Sequence, residues 1–254
     1  MTFHRPLNRP LLAASTLVGI AIVVFFAWTA QQWQGADALD DLGEMAAAFV
    51  GAIVCGAAAW RHAGRPRAAW ALLGASAAAW GAGEAVWTWY DLAQHEQVPF
   101  PSLADAGFLG AVPLAVIGAL LLPGARQRGS TRLAGVLDGL IVAAGLLAVS
   151  WVAVLHTVYS AGGDTAFATV LSIAYPAGDV VIATILVTLV IRVQRGNRLP
   201  ILLVVGGLAG SAIADSSFAY LNAQGTYGSG NALDTGWFAG YLLLALGAFV
   251  AWQR

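Results

Sequence analysis

Lysine is missing altogether: all 12 basic residues of this 254-residue chain are arginine. Charge of either sign is scarce, at 10% of residues, and the formal net charge of −1 leaves no basic surface for a nucleic-acid partner. The one cysteine, Cys55, lies inside an apolar run, which excludes a disulfide framework and a thiolate metal cluster. The four histidines, His4, His62, His95 and His156, are scattered, and no two share a helix at ligand spacing. A haem or histidine-rich metal site is therefore not expected, nor is a cofactor. The chain carries no Gly-x-Ser-x-Gly elbow and no kinase or nucleotide signature, and "GSTRL" is not a phosphate loop.

Apolar sequence fills the space that charge leaves. Hydrophobic residues make up 59% of the chain, more than a water-soluble domain of this length can hide, so the bilayer is the expected solvent and partner. Runs of about 20 apolar residues predict an all-α integral membrane protein with eight transmembrane helices, near 11–30, 43–60, 68–90, 103–123, 133–155, 166–191, 199–221 and 233–252. The first run follows Arg5 and Arg9 but is too long for a signal peptide, and it is expected to stay as an anchor. With eight spans, every arginine falls on one side, which by the positive-inside rule is cytoplasmic, as are both termini. Asp37, Asp40, Asp41, Glu44, Glu96 and Asp164 then occupy the opposite loops. A plasma-membrane, multi-pass protein is expected.

No linker divides the chain, so residues 1–254 form a single membrane domain. Two pairs of segments nevertheless look alike. "GAGEAVWTWY" (81–90) compares with "SAIADSSFAY" (211–220), and "SLADAGFLGA" (102–111) with "NALDTGWFAG" (231–240). A four-plus-four repeat of residues 11–123 and 133–252, both halves in the same orientation, is the expected origin. Repeats of this kind often place a site between their halves.

Glu84, Asp138, Asp179 and Asp215 fall inside predicted spans, and Asp91, Asp105 and Asp234 at their ends. A carboxylate at a helix centre costs roughly 2.5–3.5 kcal/mol on insertion scales. The arginines sit at the other face, so compensation must come from a water-filled cavity, from protons or from a bound cation. Acid and aromatic share helix faces at Trp80, Glu84, Trp87 and Asp91, at Ser172, Tyr175 and Asp179, at Ser211, Asp215, Phe218 and Asn222, and at Asp234, Trp237 and Tyr241. Such stripes predict a pocket for a cation or a small cationic ligand. Its expected residues are Glu84, Asp179, Asp215, Tyr175, Trp87, Asp105, Asp234, Trp237 and Tyr241; whether a metal binds there is left open. His95 and His156 are placed to join the outer acids.

Milder roles compete at several positions. Asp105 after Ser102, and Asp234 after Asn231, have capping-box spacing. Trp87, Trp89 and Tyr90 suit an interfacial belt, Asp138 suits a structural role near Arg132, and the glycines of spans three, four and seven suit close helix packing. In "SIAYPAGDVV", Pro176 removes the hydrogen bond that the Ser172 carbonyl would accept. With Tyr175 and Asp179 it forms one polar turn, expected to face spans three and seven.

The segments "GEAVWTWYDL", "PFPSLADAGFLGAVPLA", "LDGLIVAAGLLAVSW", "AYPAGDVV", "AIADSSFAYL" and "LDTGWFAGYLLLALGA" resemble the multispanning amino-terminal sensor region of actinobacterial cyclic-di-GMP signalling proteins, over roughly residues 68–252. The resemblance implies a membrane sensor that signals to a cytoplasmic protein. No cyclase or kinase segment is present, so the chain is expected to be an input half without an output domain. "AGDVV" and "IADSS" are similar, more weakly, to the eight-span lysoplasmalogenase-like family, which would make Asp179 and Asp215 the catalytic acids of a lipid hydrolase. A proton- or cation-coupled transporter is the third expectation.

Overall fold

The computed structural model describes residues 9–31, 33–95, 98–122, 132–193 and 198–254. Among these residues the secondary structure is helical, without a strand. The helices are α1 (Arg9–Ala30), α2 (Ala36–Arg61), α3 (Gly64–Thr88), α4 (Leu103–Leu121), α5 (Arg132–Ser150), α6 (His156–Ala161), α7 (Ala166–Arg192), α8 (Arg198–Ala223) and α9 (Thr235–Trp252). A π turn, Trp89–Gln94, prolongs α3, and another, Trp151–Leu155, joins α5 to α6. A 3-10 turn, Ala232–Asp234, opens α9.

Seven segments are long and apolar enough to cross a bilayer, which makes the chain a multi-pass membrane protein. α3 is not among the seven, because Arg65, Arg67, Glu84 and its small residues dilute its hydropathy. Its 25 residues nonetheless reach about 37 Å at the usual helical rise. The expected second span, 43–60, starts too late: α2 begins at Ala36 and includes Asp37, Asp40, Asp41 and Glu44. Hydropathy ends a span at the first cluster of acids, whereas the backbone carries the helix on through them.

The core is built where α2, α3, α4, α8 and α9 meet, around Ala48, Cys55, Leu73, Ala77, Trp80, Val204, Trp237 and Ala248. Small residues let backbones approach here. A Cβ on Gly107 of α4 would stand 2.6 Å from the Ala79 carbonyl oxygen and the Gly83 nitrogen of α3. One on Gly236 of α9 would stand 2.7 Å from the Gly210 carbonyl oxygen and 2.8 Å from the Ala214 Cβ of α8. These are corresponding positions in the two similar pairs of segments. α1 lies outside the core and is held by Phe25, which stacks on Phe238 at 4.1 Å. α5 is peripheral too, packing chiefly on α7.

The bundle has two chemically different ends. Arg61 lies over the Trp252 ring at 5.0 Å, and Arg65 donates to the Leu120 carbonyl at 3.4 Å, so the ends of α2, α4 and α9 meet the start of α3 at an arginine end. At the opposite end, the Gly230 amide donates to Asp40 near the start of α2. Arg5, Arg126, Arg128, Arg195, His4 and Glu96, to which the sequence assigns sides, lie outside the described residues, as do the side chains of Arg132 and Arg192. Asp138 is exposed on α5.

Candidate functional site

At the end away from Arg61 and Arg65, a cavity opens between α2, α3, α4, α7, α8 and α9. About 60 Å³ of it is accessible to the centre of a water molecule. Every residue lining it is acidic or aromatic: Asp40, Asp41, Glu44, Glu84, Asp105 and Asp215, with Trp80, Trp87, Phe100, Phe108, Tyr175, Phe218, Tyr227 and Trp237. Phe100, 43% exposed, stands at its rim. No described arginine lines it.

α2 supplies the acids that the sequence reading left in a loop. Asp40, Asp41 and Glu44 occupy positions i, i+1 and i+4 and are 3%, 2% and 4% exposed. Asp40 Oδ2 accepts the Gly230 amide at 2.8 Å, and the Asp40 carboxyl also meets that of Asp234. The Asp41 carboxyl meets that of Asp91 on the π turn. Asp40 Oδ1, Asp41 Oδ2 and Glu44 Oε1 are nevertheless buried without a hydrogen-bond partner. A buried carboxylate oxygen left so is costly, more so than a neutral polar atom, unless a proton or a ligand meets it.

The two capping boxes are present. Ser102 opens α4 and its amide donates to Asp105 Oδ2 at 2.6 Å; Asn231 opens the 3-10 turn and its amide donates to Asp234 Oδ2 at 2.7 Å. In each case the second oxygen takes a tyrosine. Tyr175 of α7 donates to Asp105 Oδ1 at 2.5 Å, and Tyr227 donates to Asp234 Oδ1 at 3.3 Å. Capping and cavity lining are thus both true of Asp105. Tyr227 lies in the loop before α9, where burial, then the Asp234 carboxylate, then the charges of Glu44, Asp40 and Glu84 push its phenol well above the ordinary range. It stays a donor.

The aromatic wall is continuous. Trp80 neighbours Phe108 at 5.2 Å, Tyr241 at 4.9 Å and Trp237 at 6.2 Å. Phe218 neighbours Trp237 at 6.0 Å, Trp87 at 5.9 Å and Tyr227 at 4.6 Å. Trp237 also donates its indole N–H to Asp215 Oδ1 at 2.7 Å. Its counterpart in the first half, Phe108, has no N–H, and the Glu84 carboxyl has no hydrogen bond among the described residues.

Compared with known proteins, the chain matches no family model, no curated protein and no solved structure. The site therefore rests on its own geometry.

Of the nine residues expected at the pocket, Glu84, Trp87, Asp105, Tyr175, Asp215 and Trp237 line one cavity. Tyr241 lies beneath it against Trp80, and Asp234 reaches it through Asp40 and Tyr227. Asp179 faces elsewhere. With Ser216, which donates to its Oδ2 at 2.6 Å, it lines an open apolar slot between α5 and α8, of about 640 Å³ on the same measure. Its carboxyl meets that of Asp215, so this pair separates slot from cavity. The polar turn around Pro176 is split accordingly: Tyr175 turns to α4 and Asp179 to α8, while α7 runs unbroken through the buried proline. His95 and His156 line neither space. The residues missed by sequence reading are the acids of α2, along with Phe100, Phe108 and Tyr227. The i, i+4 spacing of Asp40 and Glu44 was the one available signal.

Proposed function

We propose that the protein is a membrane-embedded ligand-binding module of eight spans, a sensor whose acidic and aromatic pocket opens outward and takes a cation or small cationic ligand. The arginine end would face the cytoplasm and a signalling partner there, with both termini on that side of the plasma membrane. α3, flanked by α2 and α4, supplies the eighth span. The matched glycine contacts of α3 with α4 and α8 with α9, and the matched caps of Asp105 and Asp234, support two repeats in the same orientation. One observation carries the reading. Buried carboxylate oxygens without partners line a cavity made only of acids and aromatics, out of reach of any described arginine. Binding there would change the packing of α2 against α3, α8 and α9 and so bias the opposite end. The test is thermal unfolding of the purified protein against a panel of inorganic and organic cations. Saturable stabilisation that Asp41→Asn weakens is expected; a midpoint indifferent to every cation, in wild type and variant alike, refutes it.

A lipid hydrolase using Asp179 and Asp215 is the second reading. It is favoured by the contact between these carboxyls and by the open slot through which Asp179 meets the membrane. Two carboxyls can divide acid and base roles when their surroundings differ, and here only Asp215 takes an indole N–H. Release of product from lysophospholipid or vinyl-ether lipid, lost in Asp179→Asn, would establish it.

A further inference from the structure

We infer that the ligand of the acidic and aromatic cavity is a small primary ammonium ion, R–NH3⁺, with a short carbon chain, and not a metal ion. The inference rests on the pocket reading above and narrows it by number, size and wall chemistry.

Number comes first. Three buried oxygens, Asp40 Oδ1, Asp41 Oδ2 and Glu44 Oε1, lack donors; Asp40 and Glu44 are one turn apart on one face of α2, and all three residues line the cavity. A primary ammonium carries three N–H donors and reaches its acceptors at about 2.7–3.2 Å, so it tolerates oxygens set wider apart than a metal ion does; a quaternary ammonium carries no donor. Among the described residues no three acidic, histidine or cysteine side chains are grouped to hold a metal ion. Calcium takes six to eight oxygens at about 2.3–2.6 Å, and the carboxylates here are not grouped that closely.

Size comes next. The space open to the centres of water-sized groups is about 60 Å³, so a few small groups fit there side by side. That suits a short-chain alkylammonium body.

Wall chemistry orients it. Opposite the α2 acids run Phe108, Trp80, Trp237 and Phe218, successive ring centroids 5.2, 6.2 and 6.0 Å apart. Ring faces attract a cation and accept its CH2 groups, whereas a hydrated metal ion gains little from them. The ammonium would point at Glu44, Asp40 and Asp41, the carbon chain at the rings, with Phe100 at the rim above.

Isothermal calorimetry and thermal unfolding of the full chain in lipid nanodiscs test this, with ethylammonium, tetramethylammonium, potassium and calcium chlorides at equal ionic strength. Ethylammonium should bind saturably and at least about tenfold more tightly than the other three, and Glu44→Gln should weaken it at least about tenfold. Asp41→Asn carries the same expectation and decides the matter if Glu44→Gln does not fold. Calcium, potassium or tetramethylammonium binding as tightly as ethylammonium overturns the ligand class while leaving the pocket in place. Binding of none of the four overturns the pocket reading itself.

Discussion

Replacing Gly107 by alanine should damage the protein far more than one methyl group suggests. The added Cβ would stand 2.6 Å from the Ala79 carbonyl oxygen and the Gly83 nitrogen, and 2.7 Å from the Gly83 Cα. All three are backbone atoms of α3, so no side chain can swing aside. Reaching an ordinary contact of 3.4 Å requires α3 and α4 to part by about 0.8 Å. Overpacking of this kind costs about 1–3 kcal/mol, with the upper half expected here because two helices must shift together. Glu84 follows Gly83 directly and Asp105 is two residues before Gly107, so the same displacement widens the cavity mouth. Reversible unfolding in mixed micelles would measure the stability loss, and ligand titration the loss at the site. Gly110→Ala, where nothing lies within 4 Å of the new methyl, is the control and should fall within about 0.5 kcal/mol of wild type. Gly236→Ala, which meets Gly210 and Ala214 in the corresponding way, should cost as much as Gly107→Ala. Equal stabilities for Gly107→Ala and Gly110→Ala would refute the backbone-contact argument.

Trp237→Phe removes the 2.7 Å hydrogen bond to Asp215 and should cost about 1.5–3 kcal/mol, read as a lower unfolding midpoint. Tyr175→Phe removes the bond to Asp105 between α7 and α4 and should cost about 1–3 kcal/mol by the same assay. Glu44→Gln replaces a buried carboxylate that has an unpartnered oxygen, so without ligand it should unfold about 1–3 kcal/mol later than wild type, even as it weakens ammonium binding. Because burial raises the Tyr227 phenol above the ordinary range, folded protein keeps that proton after the unfolded chain loses it. This contribution is complete below the unfolded value of about 10 and fades as pH rises through the folded one. Tyr227→Phe should therefore flatten the alkaline fall in stability, as followed by midpoints between pH 9 and 11.

The apolar runs were legible because a bilayer demands about twenty residues per crossing, and α4, α7, α8 and α9 begin and end close to the expected positions. The caps of Asp105 and Asp234 were legible because a capping box is local, three residues from end to end. Glu84, Trp87, Asp215 and Trp237 could be grouped because acid and ring recur on a single helix face. Asp40, Asp41 and Glu44 could not, since an acid at the edge of an apolar run reads as a loop until neighbouring helices bury it. Asp179 misled in the opposite way. Its spacing placed it on one face with Tyr175, but that face straddles the cavity and the slot, and the contacts with Ser216 and α5 turn Asp179 to the slot.

The replacement of an indole by a phenyl between the two halves has a mechanical consequence. Asp215 is pinned by Trp237, while Glu84 lines the same cavity with no hydrogen bond to its carboxyl among the described residues. The cavity thus presents one tethered acid and one untethered acid to whatever enters. A ligand that draws on Glu84 would pull on α3, whose first turn carries Arg65 at the far end of the bundle. Exchanging the two aromatics, tryptophan at 108 and phenylalanine at 237, would untether Asp215 and move the pull to α8.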